Sequence, residues 1–353
     1  MSELELFDEV IDVRSPAEFA EDHIPRAGSY PVLDDAERAE VGWLYKHASP
    51  FESKRRGAAL VSRNIARHIE ASFASRGREW RPLVYCWRGG KRSAAMTHVL
   101  REIGWQGAQL EGGYKAYRRE VVAQLETLPR QFRYRVLCGE TGSAKSRLLD
   151  ALAADRAQVL DLERLACHRG SVLGDLPDRA QPTQKMFETL VWDHLRRLEP
   201  ALPVFVEAES KKIGALQVPD ALLEAMRASE CLRIEAPIEA RVRFLIEEYG
   251  HFLADPAGLK GQLDCLLALY GREVIARWRS QVDRAEWETL VADLLVSHYD
   301  PAYRRSTRKN YVRLEFAPVL RPRTLGPASI AGLAQELRAL AARAPAPAAL
   351  ERP

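Results

Sequence analysis

The chain has 353 residues, 46% hydrophobic and 29% charged, with a formal net charge of +3. That length allows two domains with an appendage; the mild charge does not demand nucleic acid, although 52 Lys and Arg leave room for local basic patches. The five cysteines, at 86, 138, 167, 231 and 265, match no zinc spacing or disulfide framework and fit reduced thiols in a cytoplasm. The acidic N-terminus lacks signal-peptide form, and no apolar run is long enough for a bilayer span, so no membrane association is expected.

Residues 1–128 alternate strand and helix patterns, which predicts a small parallel α/β domain. A short strand over 10–14 meets a helix start in which Ser15 is the N-cap, Pro16 the first position and Glu18 the far side of a capping box. Residues 23–32 lead into a second strand. A third apolar run, Pro82, Leu83, Val84 and Tyr85, delivers Cys86 to a loop holding Arg88, Gly89, Gly90, Lys91, Arg92 and Ser93, followed by a helix over 94–103. Loop amides, the helix dipole and Arg92 all favour a thiolate there. An inert buried cysteine needs no such neighbours. Leu110, Glu111, Gly112 and Gly113 follow a fourth strand.

Residues 129–235 begin with an apolar–basic alternation over 132–137 and then carry Gly139, Glu140, Thr141, Gly142, Ser143, Ala144, Lys145 and Ser146 before a helical run. This is a P-loop pattern, in which Gly139, Thr141, Gly142 and Ser143 cradle phosphates, Lys145 neutralises the outer one and Ser146 is a candidate Mg²⁺ ligand. Ala144 stands where glycine is usual, and a positive φ there costs about 1 kcal/mol. The strand over 203–210 ends in two carboxylates, Glu207 and Glu209, which share one strand face and point toward a metal-bearing site, unless they are solvated acids at a strand edge. Between these segments, a polar turn groups Asp161, Glu163, His168 and Arg169 as candidate ligand-facing side chains, with His168 equally consistent with a structural role. Cys138, Cys167, Cys231 and Cys265 read as packing.

Residues 236–340 read as helices over 238–249, 259–270, 273–282 and 287–298. The last leads into Tyr303, Arg304, Arg305, Arg308 and Lys309, where cations interleaved with tyrosines suit phosphate contact and base stacking, a solvated basic face being the plainer alternative. Residues 341–353, rich in Ala and Pro, read as a disordered tail.

The run Asp12-Val13-Arg14-x-Pro16-x-Glu18-Phe19, with His23-Ile24-Pro25-x-Ala27 and Leu110-Glu111-Gly112-Gly113, resembles the rhodanese domain, whose active-site cysteine falls on Cys86. Sulfurtransferase loops of that family often place Arg five residues beyond the cysteine. Arg92 lies one position further, a width suited to a tetrahedral anion such as selenophosphate and shared with rhodanese-like phosphatases. Fusion to a P-loop domain, together with Gln181-Pro182-x-Gln184-Lys185-x-Phe187-Glu188 and Glu207-x-Glu209-Ser210, resembles tRNA 2-selenouridine synthase from about residue 11 to residue 303.

That resemblance implies a transferase that converts 2-thiouridine at the tRNA wobble position (U34) to 2-selenouridine with selenophosphate, through an S-geranyl intermediate made from geranyl diphosphate. In this reading Cys86 is the selenium carrier, Arg88 to Ser93 bind selenophosphate, and the P-loop holds the diphosphate. The implied partners are tRNAs with Lys, Glu and Gln anticodons and selenophosphate synthetase; no cofactor is tightly bound, and Mg²⁺ is a candidate. Three other readings stand beside it: a tRNA sulfurtransferase using a Cys86 persulfide, a phosphatase using Cys86 and Arg92, and a regulatory P-loop module with a non-catalytic anion sensor.

Overall fold

The computed structural model describes residues 4, 6–171, 173–176 and 178–343. The chain divides into two compact units, residues 1–125 with 182–193, and residues 126–181 with 194–353. The helical stretch from 236 thus shares a unit with the P-loop region, while 182–193 belongs with the N-terminal unit.

The first unit is built on a parallel sheet of β1 (Glu9–Asp12), β2 (Gly28–Ser29), β3 (Pro82–Tyr85) and β4 (Ala108–Gln109), in the order β2-β1-β3-β4. All four residues of β3 are buried, as a central parallel strand covered on both faces requires. Helix Pro16–Glu21 starts as its sequence dictates, with Pro16 in the first turn and the Glu18 carboxylate accepting from the Ser15 N–H at 3.2 Å. A hairpin of helices Asp35–His47 and Pro50–His68, absent from the sequence-based expectation, lies between β2 and β3. Ile11, Val84, Met96, Leu100 and Phe73 form this unit's core.

The second unit contains a parallel sheet of β5 (Arg133–Gly139), β6 (Gln158–Leu160), β7 (Pro203–Glu207), β10 (Glu230–Ile234) and β11 (Val319–Leu320), in the order β11-β10-β5-β7-β6; β8 (Lys212–Ile213) and β9 (Leu216–Gln217) make a small antiparallel pair. Leu137, Leu148, Leu152, Phe205, Leu232 and Leu337 form the core around the sheet. A separate helical core holds Leu263, Ile275, Trp278, Leu290 and Leu294. The helix expected over 259–270 is instead Pro256–Asp264 followed by Leu267–Asp283, which is kinked at Gly271 (φ 76°, ψ 172°). Glycine tolerates that geometry without Cβ strain. Residues 341–343, expected in the tail, close helix Pro327–Arg343; residues 344–353 lie outside the described residues. Among the described residues no helix is long and apolar enough to cross a membrane.

Candidate functional site

In the first unit the β3 strand ends on Cys86, which is 3% exposed. Its Sγ accepts hydrogen bonds from the Gly90 N–H at 3.2 Å and the Ser93 hydroxyl at 3.1 Å. Burial raises the thiol's pKa, but donors from Ser93, Gly90 and Arg88 outweigh it and leave Cys86 below the usual thiol value. Ser93 is buried in the first turn of helix Lys91–Ile103, so the helix start points its donors at sulfur.

The glycine pair at 112 and 113 acts on this loop directly. Gly113 has φ 56°, and a Cβ there would lie 2.3 Å from the Cys86 carbonyl oxygen and 2.4 Å from the Gly89 nitrogen. Only glycine lets helix Gly113–Leu125 press so closely, and its Tyr114 N–H then donates to the Cys86 carbonyl at 2.9 Å. Gln109, passed over in the sequence reading, donates from Nε2 to the carbonyl of Gly89 at 2.6 Å and to Ser93 Oγ at 2.8 Å.

Arg88 and Lys91 are exposed beside the loop, as an anion-binding role needs. Arg92 is placed differently. Its guanidinium donates to Glu18 at 2.8 Å and 3.4 Å, and Glu18 also pairs with Arg38 at 3.0 Å. Glu18 therefore both closes the first helix and holds the loop arginine. Only the former role is written in the local sequence.

In the second unit the loop after β5 opens onto a cavity of about 560 Å³ at the carboxyl ends of β5 and β7. Thr141, Gly142, Ser143, Lys145 and Ser146 line it, as do Asp161, Glu163, His168, Arg169, Glu207 and Glu209. The turn acids, His168 and the strand-end glutamates thus converge on the phosphate loop as expected. Gly139 lies at the end of β5, and its carbonyl accepts from Lys145 Nζ at 2.9 Å. Gly142 has φ 80°, and a Cβ there would meet Leu245 Cδ1 at 2.8 Å. Ala144 has φ 60° and ψ 30°, the left-handed geometry anticipated for that position, and it precedes helix Lys145–Ala154.

Asp161 caps the short helix Leu162–Leu165, accepting from the Arg164 N–H at 2.8 Å. His168 is 5% exposed; its Nδ1 accepts from the Gly170 N–H at 3.0 Å, which puts the ring proton on Nε2, and burial lowers its pKa. A neutral imidazole follows at pH 7. Arg169 stacks over the Tyr249 ring at 4.6 Å and donates to the Glu248 carbonyl at 3.0 Å. Glu207 is buried at the end of β7, and Glu209 follows two residues later, just past the strand. Burial, then repulsion from Glu207, raises Glu209 to about 8. Glu163 is also raised, by burial and then by the charges of Glu207 and Glu209.

Of the residues expected on an RNA-facing surface, Arg305, Arg308 and Lys309 are exposed on helix Asp300–Asn310. Tyr303 serves the P-loop instead, and Arg304, although exposed like the others, is paired there. The Tyr303 hydroxyl accepts from the Gly139 N–H at 2.6 Å, its ring lies 5.8 Å from Lys145 Nζ, and Arg304 pairs with Glu140 at 2.7 Å. Arg241, read from sequence only as a residue on an amphipathic helix, is 3% exposed. It donates to the Thr141 carbonyl at 2.9 Å, to Glu140 at 2.6 Å and to Asp300 at 2.6 Å. It fastens the phosphate loop to two helices, and a lone arginine on a helix face carries no signal of that.

A second, largely apolar chamber adjoins the phosphate cavity and shares Thr141, Ser171, Leu245, Tyr249 and Tyr299 with it. Its other walls include Leu173, Phe252, Leu259, Leu290, Leu294 and Leu295.

A thiolate-stabilising loop of rhodanese type and a P-loop cavity lined with carboxylates define the class: a rhodanese-like domain joined to a P-loop domain. Residues 2–120 match the family described as the rhodanese-like domain, and residues 132–264 match the tRNA 2-selenouridine synthase AAA domain. The tRNA 2-selenouridine synthase of Nitrosomonas europaea is 34% identical over 260 residues, 70% of this chain and 65% of that protein. Those of Shewanella sediminis and Alcanivorax borkumensis are each 31% identical, covering 87% and 83% of this chain and 90% and 88% of their own lengths. The chain belongs to the tRNA 2-selenouridine synthase family, a family of tRNA-modifying enzymes.

Proposed function

We propose that this chain replaces the sulfur of wobble 2-thiouridine in tRNA with selenium from selenophosphate, by way of an S-geranyl-2-thiouridine made from geranyl diphosphate. The apolar chamber beside the P-loop carries the donor assignment. A diphosphate fits the loop amides and Lys145, and the apolar lining of leucines, Phe252 and tyrosines suits a branched hydrocarbon tail, although the chamber, about 70 Å³, must widen to take the whole of it.

The chemistry divides between the two sites. At the P-loop, the thiocarbonyl sulfur attacks the allylic carbon, the carbon–oxygen bond to diphosphate breaks, and the base gives up its N3 proton. Lys145, Ser146 and the loop amides stabilise the departing charge. Alkylation turns sulfur into a leaving group. The Cys86 thiolate, with Arg88 and Lys91 beside it to attract the anion and the amides of Gly89 and Gly90 in the loop, is assigned the selenium half-reaction. There selenium bonds to C2, geranyl thiol departs, and water takes the phosphoryl group as orthophosphate. Arg92 acts from its place on Glu18. Exposed Arg305, Arg308 and Lys309 are assigned to tRNA phosphates. Lys, Glu and Gln tRNAs are the expected substrates, and selenophosphate synthetase the expected supplier of the donor.

Nucleoside mass spectrometry on thiolated tRNA tests this. With geranyl diphosphate and selenophosphate, the geranylated base forms and then becomes 2-selenouridine; Cys86→Ala stops after the first product. Unchanged 2-thiouridine overturns the reading. Sulfur entering unmodified tRNA from thiosulfate, and lost in Cys86→Ala, replaces it with a persulfide sulfurtransferase.

A further inference from the structure

Three carboxylates from two segments of the second unit meet at the P-loop: Glu163 in helix Leu162–Leu165, Glu207 at the end of β7, and Glu209 beyond it. One oxygen from each lies within 4.8 Å of the other two. Oxygens about 2.1–2.6 Å from a shared centre lie no more than roughly 4.2–5.2 Å apart, so a single hard cation suits this spacing. All three side chains line the same cavity as Ser146.

Their present partners do not satisfy them. Glu207 is 4% exposed, and its Oε1 has no hydrogen-bond partner among the described residues. Ser146 Oγ is shared between Glu163, at 3.4 Å, and Glu207, and Lys145 Nζ, whose charge also acts on Glu207, is engaged with the Gly139 carbonyl at 2.9 Å. Buried like charges with an orphaned acceptor are stable when a cation or protons sit among them. The cluster also faces the space where a diphosphate must arrive, and bare carboxylates would repel it.

We propose that Glu163, Glu207 and Glu209 form a divalent-cation site that fills before any diphosphate binds, an inference that rests on the P-loop cavity as the diphosphate site. An all-oxygen ligand set suits a hard cation such as Mg²⁺, Mn²⁺ or Ca²⁺. The cation neutralises the acidic wall, and its free positions accept the Ser146 hydroxyl and diphosphate oxygens. The protein, rather than the diphosphate, supplies most of the cation's charged ligands.

The test is Mn²⁺ binding to the full chain after EDTA treatment, without diphosphate, followed by the electron paramagnetic resonance of free Mn²⁺. One tight ion per chain, displaced by Mg²⁺, is expected. Glu207→Gln should weaken binding by about tenfold or more, and Glu163→Gln, at a half-buried turn position that tolerates an amide, provides the same reading if the first variant fails to fold. Mn²⁺ binding in Glu163→Gln as tight as in the parent overturns the proposal, as does Mn²⁺ binding that needs diphosphate. Tight, glutamate-dependent Mn²⁺ binding in a protein that never geranylates tRNA upholds the cation site and defeats the donor assignment alone.

Discussion

Ser93 shows how a single side chain sets the reactivity of this chain. Its hydroxyl is 3.1 Å from Cys86 Sγ and, after the opposing effect of burial, is the leading cause of the lowered thiol pKa. Ser93→Ala removes that donor, so the pKa rises and less thiolate is present at pH 7. The alkylation rate of Cys86 by iodoacetamide should fall by roughly threefold or more at pH 7, and its pH profile should move to higher pH. Exposed Cys265 provides an internal reference in the same peptide mass spectrum. An unchanged Cys86 rate would mean that the backbone amides alone hold the thiolate. The donor-lined position of Cys86 at a strand end was legible because its glycines and cations lie within six positions of it. The Glu18–Arg92 pair was not, because its members are 74 residues apart and Glu18 already had a local explanation as a capping residue. Gly113 was legible as a motif, but not as the contact that lets a helix touch the Cys86 carbonyl.

At the scale of elements, strands carrying continuous apolar runs were readable, and β3, β5 and β7 fall where the pattern placed them. The helical hairpin between β2 and β3 was missed although its caps are written in the chain. Asp34 accepts from the Glu37 N–H at 2.7 Å, and Ser49 accepts from the Glu52 N–H at 3.1 Å just before Pro50. Helix Pro50–His68 has a periodic buried face, but Ser53, Gly57 and Asn64 hold three of its five buried positions, so it does not read as an apolar stripe, and helix Asp35–His47 buries no residue at all. The end of β7 leads to a prediction about pH. Glu209 titrates near 8 in the folded chain, above an ordinary carboxylate, so the native state keeps a proton that the unfolded chain has already released. Its contribution is therefore fully present below the ordinary carboxylate value and is lost as pH rises toward about 8. In EDTA, the thermal midpoint should decline between pH 5 and pH 8. Glu209→Gln, which cannot release a proton, should flatten that decline. A parent midpoint that rises over this range would refute the buried, protonated state. A cation entering the cluster must displace protons, so Mn²⁺ binding should itself strengthen with pH over the same interval.

At the scale of the whole molecule, the net charge of +3 conceals an uneven distribution. Helix Asp300–Asn310 is strongly basic, yet the structure divides its charges between two tasks that sequence spacing could not separate. Tyr303 bonds the P-loop backbone from the helix's inner side, while Arg304, exposed one turn before Arg308, pairs with Glu140. Arg305, Arg308 and Lys309 face solvent. A helix that touches the phosphate loop on one side and presents three cations on the other is suited to bring an RNA strand up to the donor. Neutralising all three should weaken tRNA binding and flatten the dependence of log K on log salt by about 2, the slope expected for roughly three phosphate contacts to a single strand. Arg304→Ala should instead leave that slope nearly unchanged while weakening geranyl diphosphate binding, since its charge is already paired and its contact is with the P-loop. Filter binding of thiolated tRNA across a salt series, beside donor titration by calorimetry, separates the two sides of the helix. A loss of about 0.7 in slope in Arg304→Ala, one phosphate contact's worth, would mean that Arg304 leaves Glu140 for RNA, and that tRNA arrival itself loosens the phosphate loop.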